Sequence, residues 1–240
     1  MRYILGVDTA SRFGSIALAE DGEAQAWEIL APGEHSSGLT QAAERLLRAR
    51  DITPHDLSGI AVSEGPGSFT GLRIGLAWAK GFCFGAKVAL ALVPAHEVHA
   101  HRHRHAAARL ATVLPGERGE VLAAIWSGGA RATLLWGPTR VEEKAVPLTL
   151  REALGAAAGE TAVLGPDFSP DLLEILVAGG FRVLEPTSRA GAAQSVPSAP
   201  FAAAAVAELG DRDLLAGKFA DLASAAPAYG RAPNARRPAS

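Results

Sequence analysis

The 240-residue chain contains a single cysteine, so it can form no internal disulfide bond and no zinc site built from cysteines. Its apolar runs are interrupted by Arg, Lys, Gly or Pro before they reach the roughly 18 residues that a membrane-spanning helix needs. An acidic residue appears as early as Asp8, which is atypical of a secretory signal peptide. These absences predict a cytoplasmic protein that has no membrane contact.

The chain also lacks an excess of one charge, because 23 basic residues face 25 acidic ones for a net charge of -2. A strongly basic footprint over the whole surface is therefore excluded, and contact with nucleic acid must be local or shared with a partner. What the chain has in quantity is apolar side chains, which make up 48% of the residues. That share and the length predict a real core in one large domain or two small ones.

The hydrophobic periodicity gives the element order βββαβαβ twice. In the first half, strands are expected at 2–9, 14–19, 24–30, 59–63 and 87–93, with helices at Ser37–Arg50 and Leu72–Gly85. A helix over 96–109 bridges to the second copy. The pattern predicts an α/β protein with a first lobe at 1–95, a second lobe at 96–226 and a flexible tail at 227–240.

Two segments could bind phosphate. The first is the end of the first strand, where Asp8, Thr9 and Ser11 suit a phosphate or Mg²⁺ site, although Asp and Thr also commonly hold a turn. The second is the glycine-rich loop 65–71 with Gly67 and Ser68, which follows a strand and opens a helix. Physics alone leaves both segments open between an anion site and a structural turn.

The helix after that loop has one face nearly without side chains, because Gly71, Gly75 and Ala79 recur every four residues. Glycines inside a helix each cost roughly 1 kcal/mol relative to alanine, so a close neighbour should compensate. That neighbour is either the chain's own sheet and preceding helix or a partner protein. The sequence supports the two alternatives equally.

Histidines at 96, 99, 101, 103 and 105 form a second unusual pattern. The pairs His99/His103 and His101/His105 have the i, i+4 spacing of a metal-chelating helix face. A solvated face is the favoured interpretation, so no metal site is predicted and His99 is kept only as a candidate ligand. No catalytic residue is assigned, since Cys83 lies among apolar residues and no Gly-x-Ser-x-Gly elbow occurs.

Several segments form a specific set. They are Ile4-Leu5-Gly6-Val7-Asp8-Thr9, His35-Ser36, Asp56-Leu57 and, most specifically, Gly65-Pro66-Gly67-Ser68-Phe69-Thr70-Gly71-Leu72-Arg73-Ile74-Gly75 with Ala79-Lys80-Gly81. Together these segments resemble the TsaB (YeaZ) family. The resemblance is strong over residues 1–93 and thin beyond. It implies the two-lobed actin-like ATPase fold, also called ASKHA or RNase H-like, which agrees with the repeated βββαβαβ.

The resemblance also implies a function. The chain would be the non-catalytic scaffold or activator that dimerises with TsaD in the complex adding threonylcarbamoyl to N6 of adenosine 37, in tRNAs that read codons starting with A. TsaE would be a further partner, tRNA would be reached through the complex, and a homodimer would form without TsaD. The implied TsaD interface lies on two helices of the first lobe, at Leu39, Ala43, Leu46, Gly71, Leu72, Gly75 and Ala79.

No tightly bound cofactor is expected, and ADP or ATP at the interface with the partner is the candidate nucleotide, near Asp8, Thr9, Ser11, Gly67 and Ser68. Aligned with the catalytic relative, Ala95 and His99 take the places of its histidine pair, so the first ligand is missing here. Two alternatives stay open: a small-molecule kinase or ATPase of the same fold, and a metalloprotease-like protein.

Overall fold

A computed structural model describes residues 1–11, 13–117, 119–166, 168–184 and 199–228, without the side chains of residues 199–201. The described residues form two five-stranded sheets covered by helices. The first sheet contains β1 (Tyr3–Asp8), β2 (Gly14–Glu20), β3 (Glu23–Leu30), β4 (Leu57–Gly65) and β5 (Ala89–Pro94). The second contains β6 (Arg109–Pro115), β7 (Glu120–Ser127), β8 (Thr133–Glu142), β9 (Thr161–Leu164) and β10 (Arg182–Val183). The helices are α1 (His35–Arg48), α2 (Phe69–Ala86), α3 (Ala95–Arg102), α4 (Val146–Leu154), α5 (Pro170–Ala178) and α6 (Ala199–Leu215).

The element order confirms the predicted repeat of βββαβαβ, with α3 between the two copies and α6 after them. Each sheet has the same topology, in the order β3-β2-β1-β4-β5 and β10-β9-β6-β7-β8. The first hairpin turns at Asp21 and Gly22, which both have positive φ, as a two-residue turn between right-twisted strands requires. The α/β class with two similar lobes is therefore as predicted.

Helices cover both faces of the first sheet. Because side chains alternate along each strand, neighbouring residues of a strand pack against helices on opposite faces. Leu5 and Val7 of β1 pack with α1 and α2, whereas Ile4 points to the opposite face and packs with α6. Helix α6 lies very close to the sheet: a Cβ at Gly6 would overlap the α6 backbone at Ala203 and Ala207. The alanine-rich sequence of α6 thus serves close packing.

The position of α6 corrects the predicted lobe boundary. The sequence assigned residues 96–226 to the second lobe, but α6 packs on the strands of the first sheet. Helix α3 packs against β4 and β5 of the first sheet and also against β6 of the second. Two ion pairs join the two helices, Glu97–Arg212 at 2.7 Å and His101–Glu208 at 2.8 Å. Helix α6 therefore belongs to the first lobe and α3 contacts both lobes, an arrangement that hydrophobic periodicity cannot reveal.

The chain after α6 runs back along the open edge of β5. The backbone N–H of Ala220 donates to Leu90, and the Lys80 ammonium donates to the Ala225 carbonyl at 3.2 Å. The N–H of Ala228 then donates to Glu64 at 2.7 Å, so the start of the predicted tail is bonded to β4. Residues 229–240 of that tail lie outside the described residues. Within the described part of the chain, no helix is both long and apolar enough to cross a membrane.

Candidate functional site

The carboxyl ends of β1 and β4 meet the start of α3 in a cleft between the lobes. Asp8 ends β1 there and is only 4% exposed. Burial raises the pKa of this carboxyl from 3.8 to about 6, while the nearby Ser63 hydroxyl, the Ala10 backbone and the charge of Arg102 oppose the rise. Asp8 is therefore an acid held at the bottom of the cleft at a cost in desolvation.

Two neighbouring cavities lie in the cleft as the described residues form it. The inner one measures about 20 Å³ and is lined by Asp8, Ser63, His99 and Arg102 among others. That volume admits about one water molecule. The outer one measures about 390 Å³, within the range of small-molecule sites. Ala10, Ser11 and Pro166 line both cavities, so the two cavities lie next to each other.

The predicted phosphate-site residues divide between these cavities and the core. Ser11, Gly67 and Ser68 line the outer cavity, and Asp8 lines the inner one. Ser68 also caps α2, because its hydroxyl accepts a hydrogen bond from the Gly71 N–H at 3.2 Å. Its own N–H donates to the Ala10 carbonyl at 2.7 Å, which draws the glycine loop onto the end of β1.

Thr9 corrects one assignment. It is fully buried, and its hydroxyl donates to the Gly71 carbonyl at 2.8 Å, so it joins β1 to α2 and faces neither cavity. A Cβ on Gly71 would overlap the Thr9 carbonyl, and one on Gly75 would overlap the Thr9 hydroxyl. The face of α2 that lacks side chains therefore packs against Thr9. Of the two neighbours that the sequence allowed, the chain's own sheet is the one observed.

The same observation corrects the predicted partner interface. Its seven members are all buried, at Leu39, Ala43, Leu46, Gly71, Leu72, Gly75 and Ala79. Most of their side chains belong to the core between α1, α2 and the first sheet. An interface on these helices can therefore use only their outward faces.

The outward face of α2 carries a second stripe of small residues. Ala77, Gly81 and Gly85 recur every four residues and are exposed, and a Cβ at Gly81 or Gly85 would meet nothing within 4 Å. Phe84 is 80% exposed beside them, and Phe69 at the start of the helix is 49% exposed. The sequence analysis missed this stripe, although the same four-residue spacing could have revealed it.

The histidines do not form the solvated face that was favoured. His96 is buried, its Nδ1 lies 2.8 Å from the Thr112 hydroxyl, and burial lowers the pKa of its imidazole to about 3. His99 lines the inner cavity, and His101 pairs with Glu208. The predicted helix also ends at Arg102 and not at 109. Among the described residues, no three His, Cys, Asp or Glu side chains come together as a metal site.

Comparisons with known proteins agree with this architecture. The TsaD family model, described as tRNA N6-adenosine threonylcarbamoyltransferase, matches residues 29–133. The Escherichia coli tRNA threonylcarbamoyladenosine biosynthesis protein TsaB is 29% identical over 173 residues, which cover 70% of this chain and 74% of that protein. The Bacillus subtilis TsaB is 32% identical over 124 residues, or 51% and 54% of the two chains. Over much of its length the chain is similar to proteins of the TsaB (YeaZ) family.

The fold of this chain is also that of solved structures. YeaZ from Pseudomonas aeruginosa superimposes with a TM-score of 0.72 at 19% identity, covering 95% of this chain and all 100% of that one. A ROK hexokinase from Thermus thermophilus gives a TM-score of 0.51 at 13% identity, covering 88% and 100%. At these identities the likeness concerns the fold alone, which is the two-lobed actin-like fold.

Proposed function

We propose that this chain is the accessory subunit of the tRNA N6-threonylcarbamoyladenosine system. It dimerises with TsaD and supports the transfer of threonylcarbamoyl to N6 of adenosine 37 in tRNAs that read codons starting with A. TsaE is the further partner, tRNA is engaged through the complex, and the chain forms a homodimer when TsaD is absent. The complex works in the cytoplasm.

The outward face of α2 carries this proposal. Exposed large apolar side chains beside a stripe of small residues are the feature of an interface at which two helices approach closely. Neighbouring α1 adds to the surface, since the Trp78 indole N–H of α2 donates to the Thr40 hydroxyl at 3.0 Å and fixes the two helices side by side. A partner that covers Phe84 would remove a large apolar area from water.

A non-catalytic role is supported by the inner cavity. An actin-like enzyme must hold its nucleotide between the lobes, but the space beside Asp8 measures about 20 Å³. The outer cavity is the larger space, and its lining includes the helix-capping Ser68 and the glycine loop. ADP or ATP would therefore bind, if the partner completes the site, in the outer cavity with Ser11, Gly67 and Ser68. The kinase and metalloprotease alternatives gain no specific support.

The variant Gly81→Glu tests the interface. Any side chain at this open position fits the monomer, and replacing a helix glycine should raise helix stability by up to about 1 kcal/mol. The same side chain would block close approach of a partner helix. We expect the variant to fold with unchanged or raised stability and to lose co-purification with tagged TsaD.

Gly159→Glu is the matched control, because Gly159 is also exposed with nothing within 4 Å of a Cβ, but lies in the second lobe. It should co-purify with TsaD as the unsubstituted chain does. Co-purification of Gly81→Glu at the control level would refute the interface. Failure of the unsubstituted chain to bind TsaD would refute the proposed function itself.

A further inference from the structure

We infer that the end of the second lobe farthest from the cleft binds the phosphate backbone of RNA, through Arg104, Arg109, Arg131 and Arg182. The inference rests on the proposed function, because tRNA is the RNA that this function brings to the chain. It goes beyond that function in naming a contact surface on this chain. The net charge of -2 gives no hint of it, since the positive charge is local.

Strand register brings two of these arginines to one end of the sheet. Arg109 begins β6 and lies opposite Ser127, the last residue of β7, and Thr161, the first residue of β9. Arg182 begins β10 and pairs with Ala162 of β9. Since neighbouring strands lie about 5 Å apart, the backbones of Arg109 and Arg182 are separated by roughly 10 Å.

The loops at the same end supply the other two. The segment that follows α3 is bonded to the turn between β7 and β8: the N–H of Gly129 donates to the Arg104 carbonyl at 2.6 Å, and the N–H of Gly128 donates to Ala108 at 2.9 Å. Arg131 follows two residues later in that turn and is exposed. His105, also exposed, lies in the same segment as Arg104.

Three of the four arginines are oriented by neutral groups. Arg104 donates to the His101 carbonyl at 2.7 Å, Arg109 to the Ala108 carbonyl at 3.1 Å, and Arg182 to the Ala106 carbonyl at 2.6 Å. A backbone carbonyl holds a guanidinium in place without cancelling its charge, and each guanidinium has five N–H donors.

Two acidic side chains lie nearby. Glu160 directly precedes β9, and Glu208 is bonded to His101 and feels the charge of Arg104. The balance of the cluster stays positive, because four arginines face these two carboxylates. The planar guanidinium suits phosphate, which it can bind through two N–H groups at once.

The position of the arginine cluster is compatible with the proposed complex with TsaD. The proposed TsaD surface is on α1 and α2 of the first lobe, so this arginine cluster on the second lobe stays open when the partner is bound. The carboxyl ends of β6 and β9 lead to Pro115 and Pro166 at the cleft, and the arginines lie at the opposite ends of these strands. The cluster would therefore hold a part of the tRNA away from the cleft.

The test compares two triple variants that remove the same charge. The first is Arg109→Gln, Arg131→Gln and Arg182→Gln, and the control is Lys87→Gln, Lys144→Gln and Arg151→Gln. Arg151 matches Arg182, because it also donates to a backbone carbonyl, that of Gly179. The affinity for an unmodified tRNA transcript is measured between about 50 and about 200 mM salt, for the chain alone and for its complex with TsaD.

Each lost contact to a duplex phosphate lowers the salt slope of the binding constant by about 0.9. The affinity advantage of the unsubstituted chain over the arginine variant should therefore shrink by about 40-fold across this salt range, with little change for the control. Equal slopes for both variants, or no measurable tRNA binding, would overturn the inference. So would a selective loss of binding to phosphatidylserine vesicles or polyglutamate with tRNA binding retained. Because the chain alone is assayed too, failure to bind TsaD leaves the result interpretable.

Discussion

Replacing Asp8 by Asn should make the protein more stable at neutral pH. The carboxyl is buried at the bottom of the cleft, and burial raises its pKa from 3.8 to about 6, although the nearby Ser63 hydroxyl, the Ala10 backbone and the charge of Arg102 oppose the rise. In the unfolded chain the same carboxyl ionises freely in water. Between these two pKa values the folded state binds more protons than the unfolded state, so stability falls as the pH rises.

The size of the effect follows from the two pKa values. A difference of about 2 units corresponds to about 3 kcal/mol of folding free energy, which is lost between pH 3.8 and about pH 6 and stays lost above. An Asn side chain keeps a carbonyl oxygen for the Ala10 N–H and carries no charge. Asp8→Asn should therefore gain about 3 kcal/mol at pH 7.5, or roughly 6 to 12 °C in Tm for a chain of this size.

Urea unfolding of both proteins from about pH 4 to about pH 8 checks this prediction. The stability difference should be small at pH 4, grow up to pH 6 and then level off. Asp221→Asn is the control with the opposite sign, because hydrogen bonds from the Ala223 N–H and from Ser224 lower the pKa of that exposed carboxyl. The reasoning about Asp8 is refuted if its Asn variant is no more stable at pH 7.5, or if the difference does not change with pH.

Two further predictions concern the packing of α2 and the outer cavity. Gly75→Ala should destabilise the fold by about 1 to 3 kcal/mol in thermal unfolding, because the added Cβ overlaps the Thr9 hydroxyl. Gly81→Ala should be neutral or stabilising, since its added Cβ meets nothing. Equal effects of the two variants would contradict the packing described for α2. The complex with TsaD should retain labelled ADP in equilibrium dialysis, and Ser11→Tyr, which places a ring in the outer cavity, should weaken that binding about tenfold or more, a loss of about 1.4 kcal/mol. Unchanged ADP affinity in the tyrosine variant would remove the outer cavity as the nucleotide site.

The architecture could be predicted from the sequence because it rests on local periodicity. Strands of alternating or continuous apolar residues and the Asp21-Gly22 turn fix the order βββαβαβ, and the repeat fixes the two lobes. The placement of α6 on the first sheet could not be predicted, since it depends on long-range packing of the small residues Gly6 and Ala61 against α6. The burial of the histidines could not be predicted for the same reason, because their spacing does not say which of them α3 turns inward.

The glycine stripe shows where periodicity stops being informative. Gly71, Gly75 and Ala79 have the same spacing as Ala77, Gly81 and Gly85, and spacing alone cannot say which stripe faces the sheet. The partner of the first stripe is Thr9, a residue 62 positions away in sequence that bonds to Gly71. Such distant contacts decide which face of a helix packs against the sheet. A surface stripe and a core stripe therefore look alike in a sequence.

The small space beside Asp8 and the open helix face together favour a chain that acts through a partner. Helices α3 and α6 both pack on the first sheet, where they share the core around Val98 and Val206 and are joined by ion pairs at 2.7 and 2.8 Å. Meanwhile Phe84 stands 80% exposed on the opposite side of the first sheet. Asp8 is a buried acid that lowers stability beside a space for one water molecule. Its Asn variant should therefore be the more stable protein.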